Sequence, residues 1–331
     1  MKATWRKASG FGVSVGIALA LVTAAPPAAN GAANQPRRVN KAIELLEAGQ
    51  PVYYDYGAGG YEAGRAAAKT WADILLYDME GEALDFTQLR AFMKGLADGG
   101  PTPSGHRTPA VIVTLPVYGL DAATVRANHW MIQQALACGI HGLHLCHARD
   151  PRAVAAFVAA ARFEIHRQAV GRGLPEGLRM FGAHRFAAEI WGVSPKRYYE
   201  IADVWPLNPG GELLLGVKIE DHIGRRHTER IVRVPGIAFA EWGPRDTSYA
   251  SGYLDVAFDY GRKPGVVEPP PLRAAAQRVI RACKAANVFI LDNVRPENVI
   301  AQLDAGIMIC AGGIREAAEI GRRHTRRTMP W

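Results

Sequence analysis

The chain has 331 residues, 49% of them hydrophobic and 21% charged, a balance that excludes a disordered or fibrous protein and suits one large domain or two small ones. The formal charge of +8 does not mark a nucleic-acid binder. Lys2, Arg6, Lys7, Arg322, Arg323, Arg326 and Arg327 supply seven of those charges from the two ends and leave +1 for the body, where a basic face would be needed.

Residues 1–33 read as a secretory signal peptide. A basic start precedes the uncharged apolar run Phe11 to Ala24, and the small-residue stretch APPAANGAANQ follows. The run is shorter than the about 20 residues of a comfortable membrane span. Export to the periplasm or medium is expected, with an uncleaved N-terminal anchor as the alternative. A catalytic domain is expected over 38–320, and 321–331, GRRHTRRTMPW, reads as a basic, solvated tail. Cys138, Cys146, Cys283 and Cys310 form no CxxC pair, so neither a structural zinc site nor a disulfide framework is expected. They fall at the ends of apolar segments, as small core residues do.

Eight short apolar runs follow in order: 51–57, 73–80, 109–116, 142–147, 213–220, 237–244, 287–294 and 306–313. Helical patterns separate them, at 122–139 with a Gly stop, at 150–168 with an Asp cap and Pro at the first position, and at 295–306. Nearly continuous apolar strands alternating with helices imply a parallel sheet covered on both faces. Eight such units predict a (β/α)8 TIM barrel. A doubly wound open sheet is the runner-up, but YGAGGYEAG at 56–64 does not match G-x-G-x-x-G. Two long aromatic segments, 173–211 and 246–271, break the rhythm and suggest functional loops or a partner subunit.

Barrel chemistry sits at the C-terminal strand ends. Glu220 ends the fifth run and Asp246 follows the sixth. Adjacent carboxylates repel unless a cation lies between them. A hard divalent ion, Mg²⁺ or Mn²⁺ with Co²⁺ as a third candidate, suits such a pair. The competing expectation makes Asp246 a helix cap and pairs Glu220 with Arg225 or Arg226. Alternation along a strand puts Lys218 on the face of Glu220, and Asp78 on that of Glu80. Lys218 is then the partner of Glu220 or a catalytic cation. His141, His144 and His147 recur every three residues. They are read as packed or surface histidines, with a second metal site as the alternative.

Several stretches resemble the HpcH/HpaI aldolase/citrate lyase family. NKAIELLEAGQP is similar to its first helix, DILLYDMEG to its D-x-E-H strand, and PEGLRMFG to its P-x-G-x-R-G segment. The strongest likeness is VKIED followed by RIVRVPGIAFAEWGPRDTSYASGY, with Glu220 and Asp246 at the family's spacing. The resemblance implies a metal-dependent carbon–carbon lyase of the pyruvate-domain barrel type. In such enzymes Glu220 and Asp246 would bind the metal. The ion would hold pyruvate or another small 2-oxo or hydroxy acid and stabilise the enolate left by retro-aldol cleavage. Gly243, Pro244 and Arg245 would hold the substrate carboxylate. The resemblance also implies a homo-oligomer, a trimer or a hexamer; the nearly neutral body, for its part, implies no nucleic-acid partner.

The departures fall on the acid–base and anion-binding partners. Gly81 stands where the family has its His, Thr114 where it has an Arg, Ala137 where it has an Asp, and Lys218 where it has a Gln. VYGLDAATV is an insertion. Two expectations follow. In one, Lys218, Glu80, Asp78 and a histidine, His144 or else His129 or His147, take over catalysis, with a Schiff base on Lys218 as a side branch. In the other, the barrel binds a metal and a small acid without turnover.

Overall fold

The computed structural model describes residues 37–331 except 261 and 264, so the expected leader lies outside the described residues. Eight parallel strands close into a barrel: β1 (Val52–Gly57), β2 (Ile74–Asp78), β3 (Ala110–Thr114), β4 (Gly142–Leu145), β5 (Leu213–Lys218), β6 (Phe239–Glu241), β7 (Phe289–Asn293) and β8 (Ile307–Ala311). Each pairs with the next, and β8 returns to β1 with Val52 opposite Ile309. All eight expected runs are present, and the TIM-barrel expectation holds over the open sheet. A two-residue strand, Val204–Trp205, adds to the start of β5.

Alternation sorts each strand between two cores. Val52, Tyr54, Ile74, Ala110, Ile112, Leu214, Phe239, Leu291 and Ile309 fill the barrel with Ala42, Ile43, Leu45 and Leu46 of the helix Lys41–Glu47. Leu75, Val111, Val113, Leu143, Leu215 and Ile290 point outward to the helices. Gly216 lacks a side chain for a local reason. A Cβ there would stand 2.2 Å from the ring of Phe239, which occupies the space.

Helix ends differ from the sequence reading where polar side chains intervene. The pattern at 122–139 divides into Ala122–Ala127 and His129–Ala137, with Asn128 between them. The helix begun by Asp150 and Pro151 stops at Ala161 rather than 168. There Arg162 turns extended and forks onto Asp203, at 2.6 and 3.0 Å. The segment 173–211 is ordered by the helices Arg185–Trp191 and Pro195–Ile201. Among the described residues, no helix is long and apolar enough to cross a membrane.

The reading of 321–331 as a solvated tail is corrected. Helix Arg315–His324 ends inside it, and Arg322 and Arg327 are buried while Arg323 and Arg326 are exposed. Both buried arginines meet Asp73, just before β2, at 3.1 and 2.7 Å. Lys41 reaches the other oxygen at 2.9 Å, and the Tyr53 N–H donates at 3.1 Å. Burial alone would raise the pKa of Asp73. Lys41, Arg327 and Arg322 overcome it and hold the carboxyl far below the usual range. These residues look solvated in sequence because their partner lies some 250 positions away, at separations of 249 and 254.

Candidate metal and substrate site

The C-terminal strand ends open into two adjoining cavities, of about 410 and 460 Å³. Asp78, Lys218, Arg245 and Asp246 line both. The first adds Tyr54, Tyr56, His144, Glu220, Glu241 and Asn293. The second adds Glu80, Gly81, Tyr118, His147, Tyr249 and Phe258. The alternation argument therefore holds: Asp78, Glu80, Lys218 and Glu220 do meet at one end of the barrel.

Glu220 is 1% exposed. Its Oε1 accepts the His147 N–H at 2.7 Å, and its Oε2 has no donor. Burial, with Asp246 adding to it, pushes the carboxyl up to about 7 against Lys218 and His147. Neither Arg225 nor Arg226 pairs with Glu220. Gly243 lies directly against it: a Cβ there would be 2.2 Å from the Glu220 Cβ and 2.7 Å from Oε2. The φ of +55° at Gly243 starts the helix Pro244–Ala250. Asp246 sits exposed in its first turn rather than at its cap. A buried carboxylate oxygen without a donor, beside a second carboxylate on the same cavity, is a donor set that fits a hard divalent cation.

Glu80, Cys146 and Glu220 also bring ligand atoms within 4.8 Å of one another. Asp246 stands outside this trio. The Cys146 thiol donates to Glu80 Oε2 at 2.7 Å, and Lys218 donates to the same oxygen at 2.8 Å. Burial pushes the thiol well up, so the sulfur is a protonated donor there. Lys218 thus pairs with Glu80, not with Glu220. Burial alone would lower the pKa of Lys218. The acidic groups around it, Glu220, Glu241 and Glu80, outweigh that and hold the amine as an ammonium. This opposes the Schiff-base branch, which needs a free amine. Borohydride reduction in the presence of pyruvate is expected to leave Lys218 unmodified, and a pyruvyl adduct on its peptide by mass spectrometry would overturn this.

The remaining candidates separate. Asp78 Oδ1 accepts from Thr114 Oγ1 at 2.5 Å, from the Glu80 N–H at 2.8 Å and from the Gly81 N–H at 3.2 Å. It fixes the turn that carries Glu80. His144 is buried against Phe239, its Nε2 3.9 Å from Glu241. Burial, with Lys218 nearby, holds its pKa well down, so it is neutral. His141 is a core histidine that accepts the Val111 N–H and stacks on Trp191. His129 bonds to the Arg126 carbonyl and lines neither cavity. Gly243, Pro244 and Arg245 all line the first cavity, and Arg245 Nε is anchored on the Ala257 carbonyl at 3.2 Å. Arg179 of PEGLRMFG is buried under Phe163 and Tyr198, away from the site.

No family model matches the chain, and no curated protein does. Solved structures do match. A HpcH/HpaI aldolase/citrate lyase family protein from Burkholderia cenocepacia J2315 has TM-score 0.62 at 22% identity, over 86% of this chain and 95% of that one. A HpcH/HpaI aldolase from Desulfitobacterium hafniense DCB-2 has TM-score 0.60 at 18% identity, over 86% and 95%. Citrate synthase SbnG has TM-score 0.58 at 18% identity, over 87% and 96%.

The chain has the fold of the HpcH/HpaI aldolases. On that HpcH/HpaI-type barrel, Glu241 and Cys146 had no clear signal in sequence, and His147 was one of three candidate histidines that sequence could not rank. Glu241 lies opposite Lys218 in the β5–β6 register, and burial pushes it up to about 8, with Glu220, Asp292 and Asp246 adding and Lys218 opposing. Its place in the apolar run IAFAEWGP hid it. Cys146 resembled any core thiol. His147 has a φ of 47°, rare for a side chain with a Cβ. Its ring lies 3.4 Å from Glu220, 3.9 Å from Asp221 and 3.8 Å from Glu80. Asp221, then Glu220 and Glu80, hold its pKa above the ordinary value despite burial.

Proposed function

We propose that the chain is a divalent-metal-dependent carbon–carbon lyase of the HpcH/HpaI aldolase/citrate lyase family, acting on a small 2-oxo or hydroxy acid. The observation that carries this reading is the buried, donorless Oε2 of Glu220 on a cavity that Asp246 also lines. Glu220 and Asp246 would hold the ion, with Mg²⁺ or Mn²⁺ favoured by their carboxylate oxygens. Bound there, such an ion acts as a Lewis acid toward a 2-oxo acid.

The protein's own groups supply the rest. Arg245 and Lys218 carry the positive charge that faces a substrate carboxylate, offsetting Thr114 at the expected Arg position. Cys146, donating to the same Glu80 oxygen, fixes the Lys218–Glu80 pair in place. His147 is the proton carrier, since it is the one histidine that lines the cavity beside Gly81. Tyr118 packs edge-on against its ring at 4.7 Å and limits its rotation.

The test is deuterium exchange of the pyruvate methyl protons, followed by NMR with and without Mn²⁺ or Mg²⁺. Metal-dependent exchange supports the lyase, and no exchange with either ion removes it. His147→Gln is expected to slow exchange by about 10²–10⁴-fold, the usual range for general acid–base help. An unchanged rate would transfer that role elsewhere. The non-catalytic reading is favoured by Gly81, Thr114 and Ala137, none of which can replace the residue the family places there. It predicts Mn²⁺ and pyruvate binding without exchange. Self-association is proposed on the exposed Phe181, Met180 and Ile165. Export is proposed on the N-terminal pattern, with the mature N-terminus as its check.

A further inference from the structure

The second cavity differs from the first in chemistry. Beyond the charged floor that both share, Glu80, Gly81 and His147 line one side of it, and Tyr118, Tyr249, Ala257 and Phe258 supply its apolar wall. Tyr249 is 68% exposed and Phe258 64%, among the most exposed large apolar side chains described. They stand on two successive short helices, Pro244–Ala250, which carries Asp246 in its first turn, and Leu254–Asp259. The cavity opens at Gly81, where an added Cβ would meet only Asp78, at 3.1 Å and beyond. Space, aromatic faces and an absent side chain therefore coincide beside the carboxylate and arginine groups. A polar head of pyruvate size needs only the first cavity. It leaves 460 Å³ and three aromatic rings without an occupant.

We propose that this second cavity is a subsite for an aryl group, so that the substrate class is a 2-oxo or hydroxy acid carrying an aromatic substituent. The inference rests on the proposed function for the placement of the acid end and adds the identity of the other end. Arg245 and Lys218 hold the carboxylate where the two cavities meet. The ring enters between Tyr118 and the pair Tyr249 and Phe258, and packs in the offset or edge-on geometry aromatic pairs prefer. Pockets of this kind combine an apolar wall with a few polar groups that fix orientation.

The experiment compares phenylpyruvate with pyruvate by calorimetry on the full chain with Mg²⁺. Phenylpyruvate is expected to bind about tenfold tighter or better, the effect of an added aromatic contact and its buried area. In Phe258→Ala and Tyr249→Ala the ratio of the two affinities is expected to fall toward one. Both positions are exposed, so folding is not at stake. Gly81→Leu, which fills the cavity from the opposite wall, is expected to lower the ratio as well. Equal affinities in the unmodified protein, or a preference that survives all three substitutions, would overturn the proposal. The two readings fail separately. Pyruvate exchange without an aryl preference removes the subsite and keeps the lyase. An aryl preference without exchange keeps the subsite and removes the lyase.

Discussion

Glu220→Gln is expected to abolish Mn²⁺ binding by calorimetry and to cut metal-dependent exchange by about 10³-fold or more. Several kcal/mol of Lewis-acid stabilisation are at stake, at about 1.4 kcal/mol per tenfold. Asp246→Ala is expected to do the same. The stability readout should move in the opposite direction. Without metal, Glu220 is a buried carboxyl whose pKa has been driven up to about 7 by burial, with one oxygen undonated. An amide of the same shape removes that charge, so metal-free Glu220→Gln should melt no lower than the unmodified protein. Mn²⁺ should raise the melting temperature of the unmodified protein and leave that of the variant unchanged, because only a ligand of the native state shifts it. Undiminished Mn²⁺ affinity in either variant would sink the carboxylate pair as the metal site.

The second large effect lies at the opposite end of the barrel. Asp73→Asn leaves Lys41, Arg322 and Arg327 buried around an amide. Breaking a buried charge cluster by removing one partner costs about 3–5 kcal/mol. The variant is therefore expected to unfold at much lower urea, or to fail to fold. The unmodified protein supplies the pH test. The folded-state pKa of Asp73 lies below its unfolded value. Its contribution is then full above the unfolded pKa of about 3.9 and lost as pH falls toward the folded value. The Asp73 contribution to the urea midpoint should be unchanged from pH 7 to 5 and should be lost steeply below about 4. A midpoint no lower at pH 3 than at pH 6 would count against the cluster as a main stabiliser.

The two ends of the barrel were not equally legible. Strands buried on both faces write themselves as apolar runs, so the eight units and the inward set Asp78, Glu80, Lys218 and Glu220 followed from alternation alone. Pairings between strands do not. Sequence offers Lys218 either as the partner of Glu220, two residues on, or as a catalytic cation, because it shows near partners only. The fold instead sets it on Glu80, 138 positions away. The helical pattern at 150–168 overruns the helix, which ends at Ala161, because nothing near Arg162 announces Asp203. Glu241 is silent in sequence, since one carboxylate in an apolar run reads as a strand end. The arginines after Gly321 looked solvated for the same reason that Lys218 looked paired: their partner is distant.

The Asp73 cluster also bears on the order in which the molecule is made. β1 needs β8 as its neighbour, and Asp73, synthesised early, waits for Arg322 and Arg327. A ribosome emitting this chain releases a row of strands that cannot become a cylinder until Ile307–Ala311 has appeared, and Asp73 stays without two of its partners until residues 322–327 follow. Until then the edges of β1 and of the growing end are open to pairing with other chains, and half-built barrels are where aggregation should begin. Nascent chains are therefore expected to gain protease resistance in one late step rather than strand by strand.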